Sequence, residues 1–111
     1  MSFSPWQDYL MAFFAAAFLT NGIPHFVHGV SGKQFPTPFS GGAGTLDSAV
    51  RNVFWGAANL AAGGVLLWAI RDALSDWTII FELGAVATLG GAALGNAFAN
   101  PRRNRKKPEQ G

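Results

Sequence analysis

Cysteine is absent from the chain and charge is scarce. Without cysteine there is no disulfide, no thiolate nucleophile and no Cys-ligated zinc or iron–sulfur centre. Any metal would have to be held by His, Asp, Glu or backbone oxygens. Charged residues make up 13% of the 111, about half the share of an average soluble domain. The apolar/polar alternation of membrane β-strands is also missing, and no internal repeat is visible. A chain of this length holds one packed unit, so no second domain carries a separate function.

What is present is apolar: half the residues are hydrophobic, and 14 are glycine. Three segments are long enough to cross a hydrocarbon core of roughly 30 Å, which takes about 20 helical residues. They run from about residue 7 to 29, 51 to 70 and 77 to 99. Their Ala and Leu content favours helix, and none has the polar face that a soluble bundle requires. The expected fold is therefore all-α, an integral membrane bundle of three transmembrane helices. The start "MSFSPWQD" has no basic region and carries an acid, so the first segment reads as a retained span and not a cleaved signal.

Five of the eight Lys and Arg residues lie in the ending "PRRNRKKPEQG". With nothing apolar to bury, residues 100–111 are expected to form a disordered basic tail. They lack the interleaved aromatics of a nucleic-acid binder. Beside an apolar segment, such a cluster marks a cytoplasmic anchor facing anionic lipid. The expected partner is thus the lipid bilayer, with no nucleic acid. Three spans put Lys33, Arg51 and the five tail cations on one side and Arg71 alone on the other. That bias predicts N-out, C-in, with Trp6, Trp68 and Trp77 near the outer boundary.

Between the first two spans, "VSGKQFPTPFSGGAGTLDSAV" is too rich in Pro and Gly for a helix. It reads as a loop or a short re-entrant segment with Phe35 and Phe39 at the interface. Its "GGAG" has neither a preceding strand nor a following Lys-Ser/Thr, so it is no phosphate cradle. "RDALSD" reads as a tight helical hairpin.

The polar residues inside the spans are few and clustered. Asn21, His25 and His28 are spaced i, i+4, i+7, on one face of the first helix. Counting about 1.5 Å per residue from the loop side, His28, Asn52 and Asn96 share a shallow layer. His25 and Trp55 lie next, and Asn21 and Asn59 meet deeper. Pro24 cannot donate to the carbonyl of Thr20, which leaves that oxygen to Asn59 or water. Glu82 is an acid about one turn inside the other boundary, within possible reach of Gln7, Asp8 or Arg71, and an intramembrane acid is a functional candidate by default. Gly56 and Gly63 lie on a stripe with Asn52 and Asn59, and Gly84, Gly91 and Gly95 repeat that spacing with Thr88. Such stripes let helices approach closely in lipid. They would join the second and third spans or form a subunit interface.

"NGIPHFVHGVSGKQFPTPF" followed by "NVFWGAANLAAG" resembles a family of small, uncharacterised bacterial integral membrane proteins. The resemblance covers roughly residues 20–64, and its most recognisable elements are His-x-x-His-Gly-x-x-Gly and Asn-x-x-Trp-Gly-x-x-Asn. It implies a multi-pass protein of the bacterial inner membrane and transfers no activity. Two histidines are too few to hold a metal or haem alone, so no cofactor is expected. Three functional classes stay open. The first is a structural or interaction subunit, as a homo-oligomer or in a larger membrane complex. The second is a small transporter or channel using Glu82 or His25 and His28. The third is a membrane enzyme on a lipid-like substrate, using the His and Asn cluster for acid–base chemistry.

Overall fold

The computed structural model describes residues 4–41 and 45–99, and the basic tail expected at 100–111 lies outside them. Three helices dominate: α1 Trp6–Val30, α2 Ala49–Ala69 and α3 Trp77–Ala99. Each is long and apolar enough to cross a membrane. The "RDALSD" connection forms a single 3-10 turn, Arg71–Ser75. We call that end of the bundle the hairpin end and the end carrying residues 31–48 the loop end.

Local chemistry explains the helix boundaries. The α1 helix continues past Pro24 and ends at Val30, two residues before Gly32, whose φ of 75° is left-handed. There Gly32 N donates to Gly29 O at 3.0 Å and Lys33 N to His28 O at 2.8 Å, a Schellman ending that satisfies the last carbonyls. The α2 helix opens on Ser48, whose hydroxyl accepts from Arg51 N at 3.1 Å. The α3 helix opens on Asp76, whose Oδ1 accepts from Thr78 N at 3.0 Å.

The α1 helix is the centre of the bundle, with α2 packed along it on one side and α3 on another. Of the α2 glycines, Gly56 and Gly63 pack on α1 and not on α3, while Gly64 faces open space. A Cβ at Gly56 would lie 2.5 Å from Phe26 N, and one at Gly63 2.5 Å from a Leu19 side-chain carbon. From the other side, a Cβ at Gly29 would lie 2.6 Å from Val53 N, and one at Gly22 3.0 Å from Gly56 O. Backbone therefore meets backbone along the α1–α2 seam, the gain that small residues bring where lipid offers no hydrophobic drive. The α3 stripe differs. A Cβ at Gly84 or Gly95 would meet nothing within 4 Å, and one at Gly91 only the Thr20 methyl at 3.7 Å.

At the hairpin end, Ala12, Ile70, Ala73 and Ile79 form a buried apolar core, with Tyr9 and Leu83 against it. Tyr9 OH and Thr78 Oγ1 are 2.7 Å apart, tying α1 to α3. Asp76 also receives Ser4 Oγ at 3.0 Å. Hydrogen bonds from the Thr78 hydroxyl and amide, and then from Ser4, hold its carboxyl down at about 2. Trp6, Trp68 and Trp77 are all exposed at this end.

The two glycine sets separate cleanly by substitution. Gly56→Ala should destabilise the protein by about 1–3 kcal/mol, since the added methyl meets backbone that must move. Gly84→Ala should leave stability within about 0.5 kcal/mol of the parent or raise it. Equilibrium unfolding in mixed micelles measures both, and equal effects would mean the seam is not close-packed.

Candidate functional site

The loop end is organised by hydrogen bonds spread over the connecting segment. Phe35 and Asp47 form an antiparallel bridge, Asp47 N donating to Phe35 O at 3.0 Å and Phe35 N to Asp47 O at 3.3 Å. Within the ring so closed, the Thr37 hydroxyl donates to Asp47 Oδ2 and accepts from Phe39 N at 3.1 Å. Ser40 Oγ accepts from Thr37 N at 3.0 Å and reaches Thr45 O at 2.7 Å. Asp47 Oδ1 takes Ser48 N at 2.8 Å and lies 3.6 Å from Arg51. The Thr37 hydroxyl above all, with the Ser48 amide and Arg51 adding to it, holds the Asp47 carboxyl below its ordinary value. The described residues of the segment thus form a pinned cap over the helix ends.

Asn52 fastens that cap to the helices and is fully buried. Its amide nitrogen donates to Phe35 O at 2.8 Å and Ser48 O at 2.9 Å, with Asp47 O at 3.4 Å. With the nitrogen so committed, its oxygen faces His25 Nδ1 at 2.8 Å. An amide oxygen only accepts, so His25 Nδ1 carries the hydrogen and Nε2 keeps a lone pair. His28 Nδ1 donates to Pro24 O at 2.7 Å, and its ring stacks on Phe35 at 4.0 Å between centroids. One turn deeper, Asn21 Nδ2 donates to Asn59 Oδ1 at 3.1 Å. Asn59 Nδ2 turns back to Trp55 O at 2.8 Å, the carbonyl four residues before it, and not to Thr20 O.

The structure therefore places Asn21, His25, His28, Asn52 and Asn59 at two adjacent levels along α1 and α2, His25 joined to Asn52 and Asn21 to Asn59. Asn96 is exposed on α3. The α3 contribution there is Phe98, 4.5 Å from the Phe35 ring and 6.3 Å from the His25 ring. Depth counting gives a residue's level but not which way it faces, and Asn96 and Phe98 point to different sides of the same turn. Phe39 stands edge-on to Trp55 at 5.3 Å.

A cavity of about 210 Å³ opens beneath the cap, walled by Asn21, His25, Pro36, Thr37, Trp55 and Phe98. Trp55 Nε1, its N–H donor, is shielded from solvent and has no acceptor. Among the described residues, no group of three or more His, Asp or Glu side chains comes together as a metal would require.

Glu82 stands apart, in the hairpin half of α3. Its Oε1 is buried and without a hydrogen-bond partner. Arg71 does not reach it, lying instead over the Trp68 ring at 4.4 Å and donating to Trp68 O at 2.9 Å.

Comparison with known protein families, curated proteins and solved structures finds no match to this chain.

The cap has a pH dependence whose sign follows from Asp47. Its folded value lies below 3.8, so its contribution is complete above about pH 4 and disappears as pH falls through the folded value. Protection of the Phe35 and Asp47 amides from hydrogen exchange, taken relative to the intrinsic rate at each pH, should fall on acidification below about pH 4. Asp47→Asn should show the reduced protection already at neutral pH. Parent exchange that stays equally protected down to about pH 2 would remove the carboxylate from this role.

Proposed function

We propose that the protein is a three-span interaction subunit of the bacterial inner membrane, lying N-out and C-in. In this reading α1 and α2 form a fixed pair and α3 associates with α3 of a second copy. The observation that carries it is the contrast between the two glycine stripes. On α1 and α2 every seam glycine has backbone or side-chain atoms where a Cβ would sit, whereas Gly84 and Gly95 have none. Glycine in a helix costs roughly 1 kcal/mol relative to alanine. That cost is offset at the seam by close approach within the chain. On α3 nothing in the chain offsets it, and a second helix laid along the stripe would. Burial points the same way: 6% of the α3 span is buried inside the bundle, against 28% for α1 and 22% for α2. A two-fold contact between identical stripes closes on itself and needs no other component.

Association is tested with Gly84→Leu and Gly95→Leu, which should leave the fold of the single chain untouched because both positions face open space. Native mass spectrometry from detergent should report a dimer or higher form for the parent and a shift to monomer for the variants. A parent that is monomeric at every protein concentration contradicts the reading.

Orientation is supported by the charge count, Lys33, Arg51 and the tail cations against Arg71 alone. Because the chain has no cysteine, single labels are clean reporters. A thiol at Ser75→Cys should react with an impermeant reagent in intact cells, and one at Gln34→Cys only after the membrane is opened. The reverse pattern would invert the topology. The motif resemblance supports the bacterial assignment, and the bilayer is the partner that the three spans imply.

A further inference from the structure

We infer that the loop-end cavity binds a primary ammonium group on a short stem, brought either by a free alkylamine or by the headgroup of an ethanolamine phospholipid. His25 is a wall of this cavity of about 210 Å³ and is 2% exposed. Asn52 holds its Nδ1–H, which leaves a lone pair on Nε2, and no described group donates to that lone pair. Among the described residues, the partnerless side-chain atoms sealed from solvent are Trp55 Nε1 and Glu82 Oε1. Nε2 is not sealed, so it opens into the cavity that His25 lines.

Asn21, one turn deeper on the same face of α1, is placed alike. Its Nδ2 donates to Asn59 Oδ1 at 3.1 Å, and its Oδ1 is partnerless and unsealed. Two walls of the cavity thus carry an open acceptor each. A head with several donors on one atom suits them, and an ammonium has three.

Charge selects the same head. No described Lys or Arg lines the cavity. The Asp47 carboxylate stands one hydrogen bond behind the Thr37 wall. Arg51 lies 3.6 Å from that carboxylate, but its side chain is 66% exposed against 8% for Asp47, so water screens the cation more than the acid. Trp55 and Phe98 line the cavity as well. With its N–H sealed, Trp55 presents ring carbon, and aromatic rings attract a cation within about 6 Å of their centres. An anionic head finds no countercharge here. A quaternary ammonium brings charge without N–H, and an alcohol brings one donor without charge. A dry cavity of about 150 Å³ holds benzene, so about 210 Å³ has room for an ammonium and a few carbons behind it.

This inference is independent of the α3 association, because Gly84 and Gly95 do not line the cavity.

The test uses the full chain in maltoside micelles with ¹⁵N-labelled histidine at about pH 8, where an imidazole is ordinarily neutral (about 6.5) and a primary amine charged (about 10.4). Propylammonium is titrated in, with propyltrimethylammonium and 1-propanol as head controls. The His25 Nε2 resonance should move saturably, while His28, stacked on Phe35 and outside the cavity lining, stays in place. Both controls should bind about tenfold more weakly or worse. Asn21→Leu and Phe98→Leu, which remove an acceptor and a ring, should each weaken propylammonium about threefold or more. An unchanged ligand-free His28 resonance verifies that the loop end is intact in both. Ethanolamine and choline phospholipids added to the micelles separate the two sources. A His25 shift with the ethanolamine lipid alone of the two assigns the headgroup, and a shift with propylammonium but neither lipid assigns the free amine. A His25 resonance that moves with neither amine source, two histidines shifting together, an equal response to propanol or the trimethyl head, or variants that bind propylammonium as the parent does would each overturn the inference.

Discussion

The Asn52 amide is the interaction on which the loop end depends. Where a chain leaves a helix at membrane depth, its backbone groups lose their helical partners, and lipid supplies none. A single carboxamide has two donors and an acceptor, enough to hold two connecting-segment carbonyls and one ring on another helix. Asn52 uses them on Ser48 O at its own helix start, Phe35 O across the cap and His25 on α1. Cap, α1 and α2 are thereby fixed together by one side chain. The His25 tautomer, the position of Phe35 and the roof of the cavity all follow from that choice.

Glycine makes the amide's reach possible. The Asn52–His25 contact at 2.8 Å needs the α1 and α2 axes close together, and Gly29 and Gly56 bring the two backbones into contact on either side of it. Hydrogen bonding and close packing therefore support one another in the seam. A larger residue at either glycine would separate the helices and pull the histidine off its acceptor. Polar contacts and small residues both join membrane helices. Here each sets the distance that the other requires.

The helices were legible from composition alone, since long apolar segments with few charges admit little else. Their observed limits of 6–30, 49–69 and 77–99 lie within about two residues of the segments read from the sequence, the usual scatter at helix ends. Levels were legible too: counting rise per residue put Asn21 beside Asn59, and the structure joins them by a hydrogen bond. Direction was not. The stripe on α2 could have served α1 or α3, because its spacing says that something packs closely but not what. Asn96 and Phe98 differ by two positions, which puts them on different sides of α3. The cap was invisible, as Thr37 and Asp47 are ten residues apart in a segment with no period. Only the pairing of Phe35 with Asp47 brings them together, and irregular segments carry no pattern from which such a pairing can be read.

The α3 helix is held differently from α2, and residue size explains the difference. At the hairpin end Ile79 and Leu83 pack into the core beside Ala12, and the Tyr9–Thr78 contact at 2.7 Å adds a polar tie. At the loop end Phe98 lies against Phe35. Between these anchors α1 presents Phe13, Ala17 and Thr20, and α3 presents Val86, Leu89 and Leu94 together with the small Gly90, Ala93 and Ala97. Bulky contacts at the two ends fix the spacing of the helices, and small residues in the middle cannot fill it, so a groove remains. On the α2 side glycines stand along the seam, and spacing is set by backbone contact. The same kind of residue thus closes one interface and opens the other, according to whether large side chains stand at its ends.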